Sequence, residues 1–267
     1  MINQTITIVS ANIAQGFICH GLSEKKESLF TGWLPSRHAE YLAQMKPDIC
    51  CISEMVIDGE PDTCPIIQKF KKILGLDHVW CITTEESWML EDKKYGLAIF
   101  SRFPILSCEK TMLPNPGLTV SRPNGDTWHM HDKFCQKIIV DINGMELQIC
   151  NLQSFPFHVF KRRLDEPEFS DFRKEFSRKV AEPDRPAVIV GDFNNKNIPL
   201  EQAFPELFAP DMFRNVIDIP DDMLMEHKTP SQLDYILISQ HLSVVDTAVS
   251  YNVSDHPALV AQLSFIK

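Results

Sequence analysis

The segment PAVIVGDFNN, Pro186 to Asn195, starts as a β-branched run suited to a covered sheet and ends in a carboxylate and two amides. The same habit recurs along the chain. Ile6–Ala11 ends in Asn12, Asp48–Ser53 ends in Glu54, and Leu147–Cys150 ends in Asn151, Leu152 and Gln153. QLDYILIS sets Asp234 against an apolar run, and VSDHPAL puts Asp255 and His256 before the last one. Taken singly, each is an ordinary turn, cap or strand end; together they form a chemically coherent set. Carboxylates and amide oxygens without cysteine suit a hard cation such as Mg²⁺ or Mn²⁺. A histidine beside acids is a candidate general acid or base. Asp192 and Asn194, two apart, face the same way in extended backbone. One could activate water while the other donates to a developing oxyanion, which is metal-assisted attack of water on phosphorus.

Strand-like runs must carry these groups. They cover Ile6–Asn12, Asp48–Ser53, Leu97–Ser101, Lys137–Ile142, Leu147–Asn151, Ala187–Val190, Leu233–Ile238 and Ala258–Phe265. Helical patterns lie between some of them. PSRHAEYLAQMK opens on proline, PIIQKFKKILG keeps one apolar face and closes on Gly75, and Phe169, Phe172, Phe176 and Val180 mark a third stripe. Mixed spacing of this kind implies α/β or α+β. No repeat or polar linker divides the chain, so one domain over 1–267 is expected. Long loops are expected at Phe17–Trp33, Thr111–His131 and Pro220–Gln232, where substrate selection would reside.

With 44% hydrophobic and 23% charged residues, the 267-residue chain can bury a sizeable core. A formal charge of -10 argues against coating duplex DNA by charge alone, though not against an enzyme that touches a few phosphates in one cleft. Eight scattered cysteines without a C-x-x-C pair read as buried reduced thiols rather than a disulfide scaffold. MINQTITIVSANI has neither a basic n-region nor a long apolar stretch, and no run approaches a membrane span. A cytoplasmic monomer is the expectation.

In order, SANIAQG, PDICCISEM, YGLAIFSRFPI, LQICNLQ, AVIVGDFNN, QLDYILIS and SDHPAL resemble the endonuclease/exonuclease/phosphatase superfamily, the deoxyribonuclease I-like fold. The resemblance runs from Ser10 to Leu259. It implies a four-layer α/β sandwich, two mixed β-sheets packed face to face with helices outside and a site at one edge. Carried over, Glu54, Asn12 and Asp255 look like metal-site residues, with Mg²⁺ (or Mn²⁺) as the cofactor. Asp192 looks like the group that orients or deprotonates water, Asn194 like a phosphate-oxygen donor, and His256 like the essential histidine oriented by Asp234. Asn151, Asn194 and His158 are the expected substrate contacts.

One departure stands at Gln153, where many members of the superfamily carry histidine. Glutamine hydrogen-bonds but cannot donate a proton as an acid. Leaving-group stabilisation then falls to the metal, to His256 or to His158, with the metal preferred. HMHD, His129 to Asp132, lacks further zinc ligands and reads as a loop. Trp128 could stack on a base or anchor that loop, and Lys133, Lys161, Arg162 and Arg163 could contact phosphates or form a solvated charged surface beside Asp165, Glu166 and Glu168. The implied activity is a Mg²⁺-dependent phosphoesterase on a phosphodiester, foremost a nuclease, with nucleic acid or another phosphate ester as substrate. The alternatives are a phosphatase or phosphodiesterase on a small molecule or lipid headgroup, and a non-catalytic binding member. Ser231 and Gln232 before LDYIL depart from both the abasic-site and the inositol phosphatase branches.

Overall fold

A computed structural model describes residues 5–19, 30–60, 62–122, 125–196, 198–220, 231–251 and 253–266. The chain runs through β1 (Thr5–Asn12), β2 (Phe17–Cys19), β3 (Phe30–Trp33), α1 (Pro35–Ala43), β4 (Ile49–Val56), α2 (Pro65–Leu74), β5 (His78–Glu86) and β6 (Lys94–Ser101). Next come β7 (Ile105–Met112), β8 (Thr119–Ser121), β9 (Thr127–His129), β10 (Phe134–Ile142), β11 (Met145–Gln153) and α3 (Ser170–Val180). The last elements are β12 (Ala187–Asp192), α4 (Leu200–Ala203), β13 (Phe213–Asn215), β14 (Asp234–Ser239), β15 (Leu242–Ser250) and β16 (Ala258–Phe265).

Two six-stranded sheets form, in the orders β15-β16-β1-β4-β6-β5 and β13-β14-β12-β11-β10-β7. Both are mixed: β1 and β4 pair in parallel, as do β11 and β12, while the other pairings within them are antiparallel. One apolar cluster (Ile6, Ile8, Ile149, Val188, Ile236) fills the space between the sheets. A second packs α1 and α2 on the outside of the first sheet, and a third, rich in phenylalanine, packs α3 on the outside of the other. The result is the expected four-layer sandwich, because each sheet must bury both of its faces.

Alternation along the strands explains where the polar tips point. Ile6 and Ile8 face the inter-sheet core, and the same face continues to Asn12. Val188 and Val190 continue to Asp192, Ile236 and Ile238 lead back to Asp234, and Leu147 and Ile149 continue through Asn151 to Gln153. Gln153, Asp192 and Asp234 are register partners in adjacent strands. Glu54 has the wrong parity: Cys50 and Ile52 on its side of β4 face the helices. A bulge between Ile52 and Met55, with Glu54 at φ 55°, turns its carboxylate towards the inter-sheet edge. Gly191 has φ 129°, and a Cβ there would stand 2.0 Å from the Leu152 carbonyl oxygen, so only glycine fits this approach of β12 to β11.

Several strands carry no clear sequence signature. β5 and β7 are edge strands, β15 is exposed over much of its length, and β2, β3, β8 and β9 are short hairpin strands inside two of the expected loops. Most of the third expected loop lies outside the described residues. Phe169 belongs to a 3-10 turn before α3 rather than to the helix. The eight cysteines form no disulfide among the described residues, and only Cys108 is exposed. Among the described residues no helix is long and apolar enough to cross a membrane.

Candidate active site

The strand ends meet at one edge of the sandwich, between the sheets. Asn12 donates from Nδ2 to Glu54 Oε1 (3.1 Å) and to Asp192 Oδ2 (3.3 Å), linking the first sheet to the second. Gln153 donates to the same Glu54 oxygen at 2.7 Å. Asp192 Oδ1 accepts the Asn194 backbone N–H at 2.8 Å, and its Oδ2 accepts the Asn194 amide at 3.0 Å. His256 donates from Nδ1 to Asp234 Oδ2 at 2.6 Å, while Asp234 Oδ1 is buried without a partner. Ser254, which precedes the Asp255–His256 pair, donates to the backbone oxygen of Asn12 at 2.7 Å and pins that turn to β1.

Left-handed backbone clusters here. Ala14, Gln15, Glu54 and Asn194 all have positive φ, each at a cost of about 1 kcal/mol or more for a residue with a side chain. Such strain persists because the surrounding sheets fix it, and it aims Glu54 and Asn194 at the cleft.

Electrostatics divide the groups into two sets. Burial pushes the Glu54 carboxyl up, and the negative charge of Asp255 adds to this; His256, Asn12 and Gln153 only partly offset it. Burial likewise raises Asp192 to about 7, with Asp234 and Glu54 adding to the rise and His256 and the Asn194 N–H opposing it. Burial pulls His256 down, but Asp234, Asp255 and Asp192 outweigh it and hold the imidazole well above its ordinary value. Ligand atoms of Asp192, Asp234 and His256 lie within 4.8 Å of one another. That trio is already paired as acid and base, since a protonated histidine has no lone pair for a metal. A cation fits better beside Glu54, whose buried carboxylate is short of positive charge; Asn12 turns its amide N–H to Glu54 and its oxygen to Ala14 N, which leaves that oxygen one lone pair for a cation.

The remaining expected residues separate. Asp255 lies exposed at the rim, accepting from Ser254 Oγ at 3.3 Å. His158 lies near Asn194, and burial with the nearby Lys196 charge lowers its pKa, so it flanks the site as a neutral ring. Asn151 is a correction: it is fully buried between the sheets and donates to the Ile52 (3.1 Å) and Ala98 (3.3 Å) carbonyls. It staples the two sheets together and cannot touch substrate. Both amide hydrogens of Asn194 are engaged, by Asp192 and by the Ser154 carbonyl at 3.2 Å, so it braces Asp192 and offers no free donor to phosphate.

The basic residues weighed as phosphate contacts are mostly paired. Lys133 pairs with Glu85, Arg162 with Glu166 and Glu168, and Arg163 with Asp165. Trp128 packs on Phe160 (5.3 Å between centroids) beneath Arg122, so it anchors its hairpin, and His131 bonds Glu85. Sequence reasoning missed His38, a buried histidine of α1 that shares a small cavity with Asn12, Ser254 and His256. Its place among the apolar positions Ala39 and Leu42 of a helix was the available signal.

Comparison with known proteins agrees with this fold. The model of the Endonuclease/Exonuclease/phosphatase family matches residues 39–256. No curated protein sequence matches. An endonuclease/exonuclease/phosphatase from Beutenbergia cavernae is similar in structure at TM-score 0.69 and 17% identity, covering 98% of this chain and 72% of that one. The human Nocturnin catalytic domain with bound sulfate superposes at TM-score 0.59 and 17% identity, covering 99% of this chain and 97% of that one. ANGEL2, a 2′,3′-cyclic phosphatase in complex with adenosine-2′,3′-vanadate, does so at TM-score 0.62 and 14% identity, covering 98% and 96%. The chain therefore belongs to the Endonuclease/Exonuclease/phosphatase family, whose members are hydrolases of phosphate esters.

Proposed function

We propose that this chain is a Mg²⁺-dependent phosphodiesterase, with Mn²⁺ able to substitute, and that its substrate is a nucleic acid. The carrying observation is the continuous hydrogen-bonded row Gln153–Glu54–Asn12–Asp192–Asn194, with the His256–Asp234 pair beside Asp192. Glu54 and Asn12 would hold the cation, with Asp255 acting from the rim. A divalent ion held there would supply positive charge for the phosphoryl oxygen and the leaving oxygen.

The chain's own residues do the rest. Asp192, raised towards neutral pH, takes the proton of the attacking water as its oxygen bonds phosphorus. Asn194 fixes the direction of that carboxylate through its backbone and side-chain bonds. His256, kept charged by Asp234, donates to a phosphoryl oxygen and stabilises the charge that builds there. Gln153 holds Glu54 rather than donating a proton. Nocturnin with sulfate and ANGEL2 with an adenosine vanadate support the reading, because similar folds there hold a tetrahedral oxyanion and a nucleotide.

The test is hydrolysis of single- and double-stranded DNA and RNA, nucleotide and phosphoinositide substrates, with Mg²⁺ or with chelator. Chelator should abolish turnover, and Asp192→Asn should lower it about a thousandfold while leaving the melting temperature near wild type. Full activity in Asp192→Asn would overturn the assignment. Turnover of a phosphomonoester alone would replace the nuclease by a phosphatase.

A further inference from the structure

Of the four tryptophans, Trp80 and Trp128 pack against the core, whereas Trp88 is 68% exposed and Trp33 39%. Both exposed rings stand on the edge that carries the site. β5 runs parallel to β4, since both are antiparallel to β6 between them, so the turn after Glu86 opens beside the Glu54 end of β4. Two strand spacings put that turn on the order of 10 Å from Glu54, the scale of one nucleotide step plus a side chain.

The rings are wired to the catalytic turn. Asn12 Oδ1 accepts from Ala14 N at 3.0 Å, which fixes the left-handed Ala14–Gln15 backbone. Gln15, fully buried, accepts the Trp33 indole N–H on its carbonyl at 2.9 Å and the Ser87 hydroxyl on its side-chain oxygen. Ser87 Oγ also accepts from Met89 N (3.1 Å) and Leu90 N (2.8 Å), locking the turn that presents Trp88. Phe30 packs edge-on between Trp88 (6.5 Å) and Phe17 (6.3 Å). Trp33 also walls a groove of about 290 Å³ with Leu34, Pro65, Ile66 and Lys69.

We infer that Trp88, propped by Phe30, is a stacking platform for an unpaired base next to the scissile phosphate. The protein would thus select single-stranded nucleic acid. This rests on the phosphodiester reading above and names its substrate class. A fixed indole that is 68% exposed offers a π-surface that any base can use, while a duplex keeps its bases stacked inside. Glu86, Glu91 and Asp92 border Trp88 in the chain. These acids repel the phosphates of a strand and of an anionic membrane alike, so position chooses the occupant: a ring on the order of 10 Å from the proposed phosphodiester site meets a base of the strand bound there. The locked turn spares the ordering cost that a flexible loop would incur on binding.

The experiment reads binding rather than turnover. A labelled single-stranded oligonucleotide and an equally long abasic strand are titrated with full-length protein in chelator, with anisotropy as the signal. The base-bearing strand should bind about tenfold tighter than the abasic strand, Trp88→Ala should erase that difference, and Trp88→Phe should keep most of it. Equal affinity for the two strands, or an undiminished preference in Trp88→Ala, overturns the platform. So does Trp88-dependent sedimentation with phosphatidylcholine vesicles in place of strand binding. Nuclease turnover without base preference would sink only the platform. Base preference without turnover would sink the nuclease reading instead.

Discussion

Acidification should loosen the site through His38. This histidine lies in α1, 1% exposed, with Nε2 bonded to the Phe17 carbonyl at 2.9 Å. Burial pushes its pKa from 6.5 down to about 4, against the opposing pull of the Phe17 bond and the Asp255 charge. Because the folded value lies below the unfolded one, the unfolded chain binds the extra proton first. The stability held by the neutral ring is complete above pH 6.5 and drains as pH falls towards 4. That gap is worth about 3 kcal/mol in all, and about 2 kcal/mol between pH 7 and pH 5. With a urea slope of about 3 kcal/mol/M, the midpoint should fall by about 0.6 M from this residue alone. The assay is urea unfolding of wild type and His38→Gln at both pH values. Glutamine can still donate to Phe17 but cannot be protonated, so the variant should lose about 2 kcal/mol less than wild type over that interval. Identical losses in the two proteins would refute the argument. Since Phe17 follows Gly16 directly out of the turn beyond Asn12, the first structure released by acid should be the rim of the site.

Gly191→Ala combines a left-handed φ of 129° with a Cβ 2.0 Å from the Leu152 oxygen, so it should cost about 4 kcal/mol or more and yield insoluble or low-melting protein. A wild-type melting curve would contradict that geometry. Gln153→Leu removes a 2.7 Å bond to a charged carboxylate, worth about 1.5–3 kcal/mol. The Mg²⁺ concentration for half-maximal hydrolysis should rise at least about tenfold, and an unchanged titration would free Gln153 of any part in holding Glu54.

What could be read from the sequence was whatever the inter-sheet core imposes on it. An apolar row that must face that core alternates along the strand, so the polar residue closing it, Asn12, Asp192 or Gln153, shows as an interruption where the strand meets solvent. Glu54 was legible as a charge ending an apolar run, but the bulge that turns it to the cleft was not, because a positive φ at glutamate leaves no mark in composition. Asn151 shows the limit of the same reasoning. A polar residue near a strand end looks like a functional tip, yet one step of the alternation deeper it becomes a hydrogen-bonding staple between sheets. The edge strands β5 and β7 bury too little to show a strong pattern, which is why the turn that carries Trp88 was invisible as a site feature. The groups that share the reaction are those the buried rows dictate. The groups that choose the substrate sit on elements with few buried neighbours, where side chains follow the ligand rather than the fold, and a periodicity argument has no grip on them.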